Sequence, residues 1–97
     1  MEKVNVTIVA TINPTGKKEL SHYLEKVGLL YKKVEAKPVH KFKITQPLIG
    51  DYSPSLVSIM EFPSMKALKE VFESEDYKEL LPYREKAFSK LEAYISE

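Results

Sequence analysis

The chain has 97 residues, of which 43% are hydrophobic and 30% charged, with a net charge of +1 and no cysteine. Residues 1–97 are therefore expected to make one domain, large enough to bury roughly 60–65% of the surface its unfolded chain exposes. Disulfides, thiolate catalysis and cysteine-held metals are excluded, and the lack of cysteine suits a reducing compartment.

The opening residues, MEKVNVTIVATIN, alternate instead of running apolar and carry Glu2, so they do not read as a signal peptide. Val4, Val6, Ile8, Ala10 and Ile12 share one face, and Asn5, Thr7, Val9 and Thr11 the other. That period of two predicts a first strand. NPTG ends it, with Asn13 expected to cap a helix whose first residue is Pro14. Leu20, Leu24, Val27 and Tyr31 follow at helical spacing as the expected core stripe.

Pro38 stops the helix and opens a second strand, VHKFKIT, which alternates His40, Phe42 and Ile44 with Val39, Lys41 and Lys43. The turn-rich segment QPLIGDYSPS leads to LVSIMEF, apolar on both faces as a central, doubly covered strand would be. Pro63 ends this strand. Ser64 is expected to cap a helix bearing Met65, Leu68, Val71 and Phe72, and Ser74 to cap the next piece, which bends at Pro82 and runs to about Phe88. The tail KLEAYISE alternates Leu91, Ala93 and Ile95 with Glu92, Tyr94 and Ser96, and it reads as a fourth strand with a continued helix as the alternative.

The order β-α-β-β-α-β is that of a ferredoxin-like split unit, an α+β sandwich with an antiparallel-type sheet and two helical segments on one face. The first and third strands are expected to be central, parallel and joined by a crossover helix, with the second and fourth at the edges. The uncovered face would carry Asn5, Thr7, Val9, Val57, Ile59 and Glu61. A face so apolar calls for a partner, and the simplest is a second copy, giving a homodimer with stacked sheets.

Residues 61–88 carry a resemblance. EFPS, SEDY and the arginine of PYREKAF match a pattern of E-F-P-S, a helix, S-x-x-Y and an arginine seven residues after the tyrosine. In this chain they are Glu61, Phe62, Pro63, Ser64, Ser74, Tyr77 and Arg84. The chain thus resembles the domain of unknown function 1330 (DUF1330) family, and Gly50–Asp51 looks like the family's glycine before the third strand. The resemblance implies a ferredoxin-like fold and a dimeric α/β barrel. Members often have a glycine pair entering the second strand, where this chain reads KPVHKFKITQP.

Most chemistry-bearing patterns are missing. The two histidines, His22 and His40, lie on different elements without H-x-x-x-H spacing, so no metal site, haem or other cofactor is expected. His22 reads as a solvent-facing helix residue and His40 as a half-buried edge residue, with an acid–base role as the sharper alternative. NPTGKKE lacks the earlier glycine and the hydroxyl residue of a phosphate loop. No serine occupies a G-x-S-x-G elbow. Residues 31–45 hold five lysines and one glutamate, against nine acids and six bases from Glu61 onward. That reads as a lysine-guarded edge strand, with too few interleaved aromatics for nucleic acid.

Glu61, Tyr77 and Arg84 remain. Fourteen of the fifteen basic residues are lysine, so the lone arginine suggests a fork that holds a carboxylate. A Glu61–Arg84 ion pair tying the third strand to the last helix is expected, with a polar cluster in a pocket as its rival. Three functions compete. The first is a homodimer binding a small molecule between its sheets through Asn5, Thr7, Thr11, Glu61, Tyr77 and Arg84. The second is a cofactor-independent monooxygenase- or isomerase-like enzyme with Glu61 or His40 as base. The third is an interaction module using the basic second strand. The expected address is the cytoplasm, with no membrane partner.

Overall fold

The computed structural model describes residues 3–96. Glu2, read against a leader segment, and Glu97, read as the end of the fourth strand, lie outside the described residues. The elements are β1 (Val4–Ile12), α1 (Lys17–Lys33), β2 (Lys37–Lys43), β3 (Leu56–Phe62), α2 (Met65–Phe72), α3 (Glu75–Lys78), α4 (Leu81–Ala87) and β4 (Phe88–Ser96). The tail is therefore a strand, as its alternation predicts. The order along the sheet is β2-β3-β1-β4, with β2 and β4 at the edges.

Every paired neighbour is antiparallel, which corrects the expectation of parallel first and third strands. The reason lies in the connections. β3 follows β2 across a loop and must run back beside it, so β3 opposes both β2 and β1. The helix α1 instead joins β1 to β2, the two parallel strands that flank β3. In the same way α2–α4 carry the chain from β3 to β4 on either side of β1.

The helices and one face of the sheet share a core that includes Val4, Val6, Tyr23, Val27, Met60, Phe62, Val71 and Tyr77. Phe62 is fully enclosed at 0% exposure and meets Tyr31 and Phe72 at ring-centroid distances of 5.8 and 6.0 Å. Edge-on packing continues through Phe72–Tyr77 and Tyr23–Phe88, an arrangement that favours aromatic pairs beyond their buried area. The smallest dimension of the fold is 16 Å, enough for one sheet and one helix layer. β3 is central but covered on one side only.

Two caps form as expected. Ser64 Oγ accepts from Ala67 N–H and Ser74 Oγ from Tyr77 N–H, each at 3.1 Å. The first helix starts differently. Its N-cap is Gly16, while Asn13 Oδ1 accepts from Thr15 N–H at 3.2 Å and closes a turn. The Asn13 backbone N–H also donates to the Ala87 carbonyl at 2.9 Å, and its side-chain amide to that of Lys86 at 3.0 Å. This junction brings the Lys86 carbonyl against Gly16 so closely that a Cβ there would overlap it. The core stripe is also rotated from the expected one: Tyr23, Val27 and Leu30 are buried, and Leu24 faces solvent.

Candidate functional site

Strand register defines the uncovered face. Residues directly opposite each other in an antiparallel pair point to the same side, so the pairings group side chains into rows. One row is Lys37, Glu61, Asn5 and Ser96; the next is His40, Ile59, Thr7 and Tyr94; the third is Phe42, Val57, Val9 and Glu92. Thr11 and Lys90 form a short fourth row beyond it, toward the β2–β3 loop. An irregularity between Pro38 and His40 turns His40 and Phe42 to this side. Their rings stack with centroids 5.5 Å apart and 22° between planes.

The centre of the face is an apolar strip of Phe42, Val57, Val9 and Ile59. Polar groups surround it. Tyr52, from the loop between β2 and β3, hydrogen-bonds through its hydroxyl to Thr11 Oγ1, and the Lys90 ammonium lies 4.3 Å from its ring centroid. That cation–π contact holds the loop against the face. At the other end, Glu61 is 33% exposed and pairs with Lys3 at 3.4 Å.

The expected Glu61–Arg84 pair does not form. The parity of β3 places Glu61 on the open face with Val57 and Ile59, whereas α4 lies on the covered side. Arg84 Nη1 instead donates to the Tyr77 hydroxyl at 3.1 Å, with its guanidinium 5.8 Å from that ring's centroid. The Tyr77 hydroxyl is also 2.9 Å from that of Tyr23. Three helices are thereby tied together, with no buried side-chain polar atom of the cluster left without a partner. Burial, reinforced by the neighbouring Tyr77, pushes the Tyr23 hydroxyl far above the ordinary tyrosine value, and burial raises Tyr31 in the same direction.

The residues expected to form one site therefore divide. Asn5, Thr7, Thr11, Glu61 and His40 lie on the open face, while Tyr77 and Arg84 lie beneath the sheet among the helices. His40 is exposed, not half-buried, and His22 is partly covered by Tyr83, whose ring centroid is 4.0 Å away. Sequence reasoning missed Tyr52, Lys90 and Tyr94 on the open face. The alternation of the last strand already pairs Tyr94 with Glu92, but no periodic signal marks Tyr52 in its loop. Among the described residues no three metal-ligating side chains converge. A groove of about 900 Å³ runs between α1 and α3–α4, past Leu29, Leu80 and Tyr83, on the helix side of the molecule. No helix of the described residues is long and apolar enough to cross a membrane.

The fold is shared with several solved structures. The RPA0582 protein of unknown function from Rhodopseudomonas palustris superposes with a TM-score of 0.85 at 20% identity, over 97% of this chain and 80% of that one. A variant of SnoaB, a cofactor-independent oxygenase from Streptomyces nogalater, gives 0.68 at 9% identity over 100% and 93%. A dimeric protein of unknown function with a ferredoxin-like fold from Bacteroides fragilis gives 0.62 at 8% over 98% and 95%. At these identities the likeness shows a ferredoxin-like fold and nothing finer. No curated protein matches the chain. Residues 6–96 match the family model described as Domain of unknown function (DUF1330), confirming the resemblance carried by Glu61 to Phe88. The chain belongs to the DUF1330 family.

Proposed function

We propose that two copies of this chain pair through their open sheet faces and hold a small, largely apolar molecule between them. The observation that carries this reading is the strip of Phe42, Val57, Val9 and Ile59 at the centre of a face that no helix covers. Contiguous apolar patches on soluble proteins commonly mark interaction sites or ligand grooves. A second copy offers the same rows by two-fold symmetry. Asn5, Thr7, Thr11 and Glu61 around the strip suit the few orienting contacts of a mostly apolar pocket. The Bacteroides fragilis neighbour is described as dimeric, which supports the same arrangement here. Tyr77 and Arg84 have no part in this pocket, because they bond each other on the covered side.

Native mass spectrometry of untagged protein tests the reading. The expected species is a dimer that retains a small molecule under gentle conditions. Ile59→Lys places a charge in the strip and is expected to release both the partner and the molecule. An Ile59→Lys protein that keeps both would overturn the proposal.

A second reading, catalysis on the same face without a cofactor, is favoured by His40. Its imidazole lies at the edge of the strip beside Phe42, while the other candidate base, Glu61, is engaged by Lys3. One structural neighbour is described as a cofactor-independent oxygenase. His40→Gln is then expected to preserve the dimer and its bound molecule, and to stop any conversion of that molecule seen by mass during aerobic incubation of the wild type. Equal conversion by both proteins would remove His40 as the base.

A further inference from the structure

The loop between β2 and β3 ends in two of the most exposed large side chains of the fold. Leu48 is 96% exposed and Ile49 is 91% exposed. A single exposed aliphatic residue is ordinary, but two adjacent ones at a loop tip leave apolar surface in water for no structural gain. The loop is also stiff. Pro47 and Pro54 restrict its two ends, and Gly50 takes a φ of 100°, a left-handed conformation that glycine adopts without strain. Its base is anchored: Ser55 N–H donates to the Ala10 carbonyl at 2.8 Å, and Ser55 Oγ accepts from Ile12 N–H at 3.1 Å. The Tyr52 hydroxyl and Lys90 hold its second half on the open-face side of the sheet. The loop is therefore anchored on the side on which a second copy is proposed to sit.

Area points the same way. Four strands about 4.8 Å apart, with roughly seven paired residues of about 3.4 Å each, make a flat face of roughly 450 Å². A stable interface takes about 800 Å² from each partner. The outline of the sheet face is smaller than that, and a pairing confined to it would leave both loop tips in water.

We infer that residues 45–55 form an arm whose tip, Leu48 and Ile49, packs across the interface onto the rim of the other copy's open face, closing one end of its pocket. The inference rests on the proposed face-to-face pairing. Because the pairing is two-fold, both arms are exchanged and each pocket is completed by the other chain. The stiffness of the loop lowers the conformational entropy lost on docking. The occupant of this apolar tip is thus a second copy of the chain, not a lipid surface or an unrelated protein.

The double variant Leu48→Ser with Ile49→Ser tests the arm, since both side chains are solvent-exposed within one copy and their loss does not disturb its core. Sedimentation equilibrium is expected to show a dimer dissociation constant raised about 100-fold or more, the consequence of removing four aliphatic side chains that the dimer buries. Mixed dimers, one copy with labelled Leu and Ile methyl groups and the other unlabelled, are expected to show cross-chain nuclear Overhauser effects from the tip. A double variant that dimerises with wild-type strength, without cross-chain effects, would overturn the arm; if Ile59→Lys still splits that dimer, the face-to-face pairing stands alone. A monomeric wild type would overturn the pairing and the arm together. Loss of vesicle binding by the double variant, with dimer strength unchanged, would assign the tip to a lipid surface and overturn the inference.

Discussion

On the helix side of the sheet Val6 and Met60 face each other and are almost closed to water, at 2% and 8% exposure. The adjacent pair on the same strands, Thr7 and Ile59, points the other way and stays partly exposed. The two faces share backbone, register and twist, yet they solve different problems. The covered face is a finished core: aromatic rings in edge contact, and one polar cluster whose members satisfy each other. The open face has an apolar strip, polar groups around it and no second layer. Half of the sheet specifies the fold, and the other half is the face proposed to receive a second copy.

If that contrast is sound, substitutions on the covered face should cost far more than equivalent ones on the open face. The largest effect is expected at Phe62, which is fully enclosed. Phe62→Ala should lose about 3–5 kcal/mol in chemical denaturation, mostly as an unfilled cavity. For a domain of this size that is a fall in Tm of roughly 15–25 °C. A loss below about 1 kcal/mol would show a loosely packed core.

Next is the tyrosine–arginine cluster. Tyr77→Phe removes the hydroxyl that receives Arg84 and meets Tyr23, leaving two polar groups short of a partner. A cost of about 1–3 kcal/mol is expected. Tyr23→Phe deletes an end of the chain instead of its centre and should cost less. Equal costs would mean that the order of the cluster is wrong.

Two buried tyrosines predict the alkaline limit of stability. Burial holds the Tyr23 and Tyr31 hydroxyls above their unfolded value, so the folded chain keeps protons that the unfolded chain gives up. The contribution is complete below about pH 10 and declines as pH rises beyond it, by about 1.4 kcal/mol per pH unit for each such tyrosine. Tm measured from pH 8 to pH 11.5 should be flat at first and then fall. Tyr23→Phe should soften the fall, and an unchanged slope would contradict the assignment.

The smallest effect is expected on the open face. Glu61 pairs with Lys3 in a partly exposed bridge, so Glu61→Ala should cost less than about 1 kcal/mol, decreasing further in high salt. A double-mutant cycle with Arg84→Ala should be additive. A coupling above about 1 kcal/mol would revive the ion pair that the structure replaces.

Much of this was legible in the chain. Periods of two and of 3.6 locate the strands and the long helix, and Ser64 and Ser74 mark helix starts because their hydroxyls satisfy local backbone groups. Long-range choices were harder. Helix α1 has more apolar positions than one face can bury, and Tyr23 displaces Leu24 because Tyr77 and Phe88, distant in sequence, meet its ring and hydroxyl. Asn13 looks like a cap, but the carbonyls of Lys86 and Ala87 draw it into a turn instead. Glu61 was readable: it shares parity with Val57 and Ile59, and that places it across the sheet from Arg84. Its position at the end of an apolar strand is tolerable because the carboxylate stays partly exposed within the chain and pairs with Lys3.

The mass of the protein in solution tests the central claim most directly. Light scattering coupled to gel filtration should give about twice the 11.2 kDa chain mass for the wild type at micromolar concentration. Ile59→Lys should return a folded chain at the single-chain mass, and Leu24→Lys, on the exposed side of α1, should remain double. A wild-type protein that elutes as a monomer would contradict the account.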